Sequence, residues 1–435
     1  MIKRAVFSQD RITDALRIKR LVGNLLIAIL ALYVFRDGFN SLGFGFLVYI
    51  LTAIAFVLCM FIPRQEARTP TCIHAYICLG IFGFIFSCLT LFDHNVVAGI
   101  FGFAVIYANM VIWLLYLTKL NSEEASRYFK KYIFVLVLFG IISALLGVYQ
   151  TYVDRSILGL ATNSLYASEE AMGSGRFVPR ATALLGSAQN YGLFVGICFC
   201  ACLFFGRGKE VFRFIGLIIL LAGIVVSGSR STSACVVIAG ILFLIHIFRE
   251  RKIPRSFLAM LSTCIAVALL GFIVFGTPNA LDSRTTQRLF DFGMSDTLLV
   301  YQNVLENLQG FSMFWGNGLG YGSWTVAQMM GEYAYAEAFH TFYSSTESYL
   351  LQTWLQSGLP GLILLLGVEL TAIKSVWSKK EIGLASLLIC ILVNQIFTPS
   401  FTSLAISFSS WPIILYSLID WSFRDEIAME RNPVD

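Results

Sequence analysis

The sequence predicts an all-α fold, a polytopic bundle of about twelve transmembrane helices with a large, partly helical outer loop. Three observations predict it. Hydrophobic residues make up 57% of the 435 and charged residues only 13%, roughly half the charge of a soluble protein. Apolar runs on the order of 20 residues, enough to cross a bilayer, recur along most of the chain. The basic residues gather at alternate ends of those runs. Lipid then defines the core as much as self-packing does, and residues 1–435 form one integral membrane domain.

Taken in order, the apolar runs lie at about 21–36, 42–62, 73–92, 96–118, 132–150, 188–206, 214–229, 231–248, 256–276, 359–377, 382–398 and 403–421. The first follows Arg17, Lys19 and Arg20, and no small-residue cleavage site comes after it, so it reads as a retained signal anchor. With both termini in the cytoplasm, the basic residues stay inside, as the positive-inside rule requires. Only Arg36, Arg155, Arg176, Arg180, Arg230, Arg284 and Arg288 of the 31 fall outside, and all are arginine. Arginine grips phosphate in a fixed two-pronged geometry. The net charge of +5 reflects this orientation signal and points away from nucleic acid as a partner.

Two outer segments exceed simple turns, one at about 151–186 and one at about 277–358. Loops of that length in a compact protein are usually functional or disordered. The second is rich in aromatics, among them Phe311, Trp315, Tyr321, Trp324 and Tyr335, and so is expected to fold over the outer mouth of the bundle. It also holds an amphipathic stretch, with Ser295 as a cap and Leu298, Tyr301, Leu305 and Leu308 on one face. The ten cysteines fall in or beside apolar runs, which argues against a disulfide framework. Cys198, Cys200 and Cys202 alternate like a metal motif, but positions two apart point to different sides of a helix, so they read as buried small hydrophobes.

The chemistry-bearing residues lie on the outer side. Arg230 sits in Ser227-Gly228-Ser229-Arg230-Ser231 between two runs with almost no linker. It is either a turn arginine reaching the interface or a phosphate ligand helped by serine hydroxyls and the N–H groups that open the next helix. Arg176 and Arg180 contact headgroups or substrate. Downstream, Gly186-Ser187-Ala188-Gln189-Asn190 opens the sixth span with residues that let a polar ligand approach. Arg284 and Arg288 are four apart and share a face if helical, as a solvated pair or a binding pair. Gly316-Asn317-Gly318-Leu319-Gly320-Tyr321-Gly322 lacks the spacing of a dinucleotide fingerprint and reads as a tight loop with close backbone approach. Glu347 is either the acid of a Ser344-x-x-Glu347 capping box, or a general base or sugar ligand. His340, alone among histidines in the two long loops, is a surface residue or an acid–base group. No acid or histidine cluster with metal-ligand spacing occurs on either face, so neither metal nor cofactor is expected. The spans hold few acids; Glu369 is placed toward the cytoplasmic end of its run.

These pieces resemble the O-antigen ligase and polymerase superfamily of bacterial envelope glycan assembly. The resemblance runs through Arg180-Ala181-Thr182…Gly186…Asn190-Tyr191-Gly192, Ser227-Gly228-Ser229-Arg230-Ser231, Trp315-Gly316-Asn317-Gly318-Leu319-Gly320 and Glu347-Ser348-Tyr349-Leu350…Gly358-Leu359-Pro360-Gly361-Leu362, in that order over roughly 176–365. Ligases of the group carry His-Asn where this chain has Thr346-Glu347, which favours a polymerase.

The resemblance implies a multi-pass protein of the bacterial inner membrane with a periplasmic active site. It would be a metal-independent glycosyltransferase joining undecaprenyl-pyrophosphate-linked repeat units into O-antigen or a similar polysaccharide. Donor and acceptor lipid-linked glycans, membrane lipid and a chain-length regulator protein are the implied partners. Arg230, Arg180, Arg284 and Arg288, with Arg176 and Asn190 beside them, would hold pyrophosphate and glycan, and Glu347 or His340 would take the acceptor proton. The rivals are a ligase acting on lipid A core and a non-enzymatic flippase or exporter, which would need a polar path through spans that are largely apolar.

Overall fold

The computed structural model describes residues 2–63, 69–88, 96–161, 180–206, 210–250, 310–339, 348–398, 401 and 403–420, together with 302, 305, 306 and 308. The protein is an all-α polytopic membrane protein, with no β-strand among the described residues. Helices cover every predicted span except 256–276, which lies outside the described residues, as does most of the predicted amphipathic stretch. Among the described residues, five helical stretches are long and apolar enough to cross a membrane: 96–117, 122–152, 188–205, 210–227 and 349–378.

The chain opens with α1 (Ile2–Val34), a short α2 (Arg36–Ser41), α3 (Leu47–Phe61) and α4 (Thr71–Cys88). In α1, Val22, Leu26, Ile29, Leu30 and Tyr33 are buried at helical spacing. In α3 the pattern inverts. Ile50, Ile54, Val57 and Phe61 form an exposed apolar stripe, which only lipid can cover. A continuous rod then comprises α5 (Val96–Phe103), a π-helical turn (Ala104–Ala108) and α6 (Asn109–Leu117).

Next comes α7 (Ser122–Tyr152), which begins with a capping box. The Asn121 side chain accepts from Glu124 N at 2.7 Å, and Glu124 accepts from Asn121 N at 3.0 Å. Its buried face carries Gly140 and Gly147, and these small residues admit α8 (Ala188–Phe205) so closely that a Cβ at either glycine would collide with Cys198 or Tyr191. The three alternating cysteines lie buried in α8, with Cys200 Sγ 3.4 Å from Cys390 Sγ. α9 (Glu210–Ser227) and α10 (Arg230–Glu250) follow.

After the central stretch come three short helices, α11 (Phe311–Trp315), α12 (Trp324–Met330) and α13 (Glu332–Phe339). The last described helices are α14 (Tyr349–Ser378), α15 (Ile382–Phe397) and α16 (Leu404–Leu418).

Two of these last helices contain proline, and a proline leaves the carbonyl four residues earlier without its helical donor. In α16, Pro412 orphans the carbonyl of Phe408. The indole Nε1 of Trp113 donates to it at 3.0 Å, and Tyr132 Oη donates to the neighbouring Ser409 carbonyl at 2.7 Å. In α14, Pro360 orphans Gln356, and Gly358 (φ 67°) breaks the helix outright. There the glycine-dense loop supplies the donors: Asn317 N reaches the Leu355 carbonyl at 2.6 Å and Gly318 N reaches Gln356 at 3.2 Å. The return bonds run from Gln352 Nε2 to Gly322 O (3.1 Å) and from Gln356 Nε2 to Tyr321 O (2.8 Å). A Cβ on Gly358 would fall on the Phe314 carbonyl, and one on Gly316 would strike Gln356, so both backbones meet with no side chain between them. The close backbone approach expected of this loop is observed.

Candidate functional site

The site is built at the end of the bundle that carries the α7 C-terminus, the α8 N-terminus and the α9–α10 turn. Gln150, in the last turn of α7, fixes the incoming chain. Its Oε1 accepts from Thr182 N and Ala183 N, both at 2.8 Å, and its Nε2 donates to Thr182 Oγ1 at 3.1 Å and to the Arg155 carbonyl at 3.2 Å. Burial makes these bonds firm, because no water competes for the amide. Residues 180–186 are thus pinned on α7, and Ala181 N donates to the Val226 carbonyl at 3.0 Å, which ties the same strip to the end of α9.

That strip delivers Arg180 to the turn. Its Nε donates to the Ser227 carbonyl at 2.8 Å. Gly228 holds φ 58°, and a Cβ there would come within 3.4 Å of Arg180 Nε. The turn is hydroxyl-rich: Ser229 Oγ and Ser231 Oγ are 3.3 Å apart, and Thr232 Oγ1 donates to Ser229 Oγ at 2.9 Å. α10 starts at Arg230. The α8 N-terminus closes the corner. Ser187 caps it by accepting from Asn190 N at 3.1 Å, and Gly192, two residues on, packs directly against Ser227 and Ser229.

The structure therefore gathers Arg180, Asn190 and the Arg230 backbone at one corner. Arg176, Arg284, Arg288, His340 and Glu347 lie outside the described residues. Ser348, next in sequence to Glu347, is buried and is the N-cap of α14: its Oγ accepts from Leu351 N at 3.4 Å and bonds to the Gln395 carbonyl at 3.2 Å. The cap of that helix is thus Ser348.

Asp37 escaped the sequence reading, and Arg36 and Glu369 were named in it without a role at the site. Asp37, in α2, is 6% exposed and faces Gly186, where a Cβ would sit 3.5 Å from its Oδ1; Asp37 N also donates to the Leu184 carbonyl at 3.1 Å. Its neighbour Arg36 lines a cavity of about 340 Å³ with Tyr33, Asn40, Phe46 and Tyr49. The available signal was an Arg-Asp pair placed directly after the first apolar run.

The third is Glu369. It is buried, and Gln395 Nε2 donates to its Oε1. Its partner lies in the last turn of α15, and the carbonyl of that same Gln395 takes the Ser348 hydroxyl. Glu369 is thus linked through Gln395 to Ser348, the N-cap of α14.

Residues 215–366 match the family model described as O-Antigen ligase. No curated protein matches the sequence. The O-antigen ligase match runs from α9 through the first part of α14, so it takes in the Arg230 turn, the glycine-dense loop and Ser348. Asp37, Arg180 and Asn190 are supplied from outside it, through the pinned strip and the α8 cap.

Proposed function

We propose that this protein is a glycosyltransferase of bacterial envelope glycan assembly, one that polymerises undecaprenyl-pyrophosphate-linked repeat units at the periplasmic face of the inner membrane. One observation carries the reading. Arg180 is held by its Nε on the backbone of the turn from which α10 starts at Arg230, so a guanidinium is fixed beside serine hydroxyls and a helix N-terminus. Such a corner suits the phosphates of a lipid pyrophosphate.

In the proposed reaction a growing glycan leaves its pyrophosphate carrier and joins the terminal sugar of a lipid-linked repeat unit. Negative charge develops on the departing pyrophosphate, and pre-placed arginines stabilise it without reorganising. Arg180 and Arg230, joined by Arg176, Arg284 and Arg288, take this part. Glu347 or His340 accepts the acceptor hydroxyl proton. Thr346-Glu347 stands where ligases of the superfamily carry His-Asn, which favours polymerisation.

The O-Antigen ligase description of the matching family supports a second reading, transfer of finished polymer to lipid A core. Gene deletion separates the two. Loss of a polymerase leaves single repeat units on the acceptor, whereas loss of a ligase leaves the acceptor bare. Normal long polymer in the deletion strain overturns both.

A further inference from the structure

At the opposite end of the bundle, α1, α6 and α7 enclose a second cavity of about 340 Å³. The charge distribution assigns this end to the cytoplasm. Its floor is aromatic and fixed. Tyr128 Oη donates to the Gly23 carbonyl at 3.0 Å, Tyr116 Oη donates to the Lys19 carbonyl at 3.3 Å, and the two rings meet edge to face at 4.9 Å. Gly23 is what admits them, since a Cβ there would press on both rings.

The rim is cationic. Lys19, Arg20, Arg127 and Lys131 line the cavity against one acid, Glu124. That acid is already committed: the same Oε2 accepts from Lys19 Nζ at 2.8 Å and from Asn121 N at 3.0 Å. Arg127 pairs with Glu123 at the exposed edge. Lys131 holds only the neutral Asn24 Oδ1, at 2.8 Å, and Arg20 has no ion pair among the described residues. Leu16, 39% exposed, adds an apolar side chain to the cavity wall.

We infer that this cleft is a binding site for an anionic phospholipid of the cytoplasmic leaflet. Arg20 and Lys131 hold the phosphodiester, and the glycerol and upper acyl chains lie on Tyr116, Tyr128 and Leu16. Cations that serve only to orient the chain need no shared cavity. Here they ring an apolar floor, and the one acid among them is spent, an arrangement that fits an amphiphile with a single negative head. The inference is independent of the glycan chemistry proposed for the other face.

The test uses the full-length protein purified in neutral detergent, mixed separately with short-chain phosphatidylglycerol, phosphatidylcholine and inorganic phosphate, with bound ligand counted by native mass spectrometry. Phosphatidylglycerol should be retained at least tenfold more than phosphatidylcholine, and inorganic phosphate should neither bind nor displace it. The Arg20→Gln/Lys131→Gln double variant should lose that preference at least tenfold, with the charge-preserving Arg20→Lys/Lys131→Arg variant keeping most of it. Equal retention of the two lipids by the unaltered protein overturns the site. So does full retention of phosphatidylglycerol by the double glutamine variant, or competition by inorganic phosphate. The unaltered protein alone decides the lipid comparison, so a variant that fails to fold leaves the inference testable.

Discussion

Pro360 in α14 and Pro412 in α16 create the same defect, an orphaned carbonyl inside a buried helix, and the protein answers them differently. At Pro412 one side chain suffices, the Trp113 indole on Phe408. At Pro360 the helix also breaks at Gly358, and a whole glycine-dense loop brings two backbone N–H groups to the gap. The comparison gives the loop a physical role. Trp315-Gly316-Asn317-Gly318 repairs α14 just ahead of its break. A side-chain patch can be swapped for another donor, whereas a backbone patch demands glycine on both partners.

The largest expected effect breaks the backbone patch. Gly358→Ala should abolish most folded protein, because its Cβ meets the Phe314 carbonyl and φ 67° is strained for any L side chain. Near-normal yield and thermal transition in detergent would show that the two backbones can separate at little cost. Next come the arginines, which the scaffold comparison predicts to be separable from stability. Arg230→Lys and Arg180→Lys should each cut polymer formation by at least about tenfold while folded protein is unchanged, since the two-pronged fork is lost with the charge kept. Wild-type polymer length from Arg230→Lys in complemented cells excludes the phosphate role.

The side-chain patch should be milder and reversible. Trp113→Phe should cost about 1–3 kcal/mol by leaving Phe408 unsatisfied. Adding Pro412→Ala should restore much of it, because alanine brings back the helical donor. A double-variant cycle of thermal unfolding that shows additivity would break the pairing. The smallest effect belongs to Trp354, which donates to the Met313 carbonyl at 2.9 Å from a solvent-accessible position. Trp354→Phe should cost about 0.5–1.5 kcal/mol with no change in polymer length, measured by unfolding and by gel ladders.

The spans were legible because lipid imposes a length and a hydropathy that a single sequence displays. The helical run that starts after Gly358 was legible too, since Pro360 suits the first turn of a helix. The helical segment from Tyr349 into that break was harder to read, because its polar Gln352, Thr353 and Gln356 look like loop until their partners in the glycine loop are known. Arg180 was legible by residue type, but its support was not: Gln150 lies 30 residues upstream of it in an apolar run and acts through bonds to backbone. Asp37 was missed because burial of a carboxylate depends on what packs over it, here the strip at Leu184–Gly186.

The last two helices are short. α15 has 16 residues and α16 has 15, so each rises only about 22–24 Å against a hydrocarbon thickness of about 30 Å. Tyr349 N holds the Thr398 carbonyl between them at 3.0 Å, and the Phe401 ring that follows packs on Tyr349 and Trp411. This terminal hairpin cannot settle in lipid by itself. Its position depends on the helices packed around it, so reporters fused after Phe397 should record an insertion that is complete only once those contacts form.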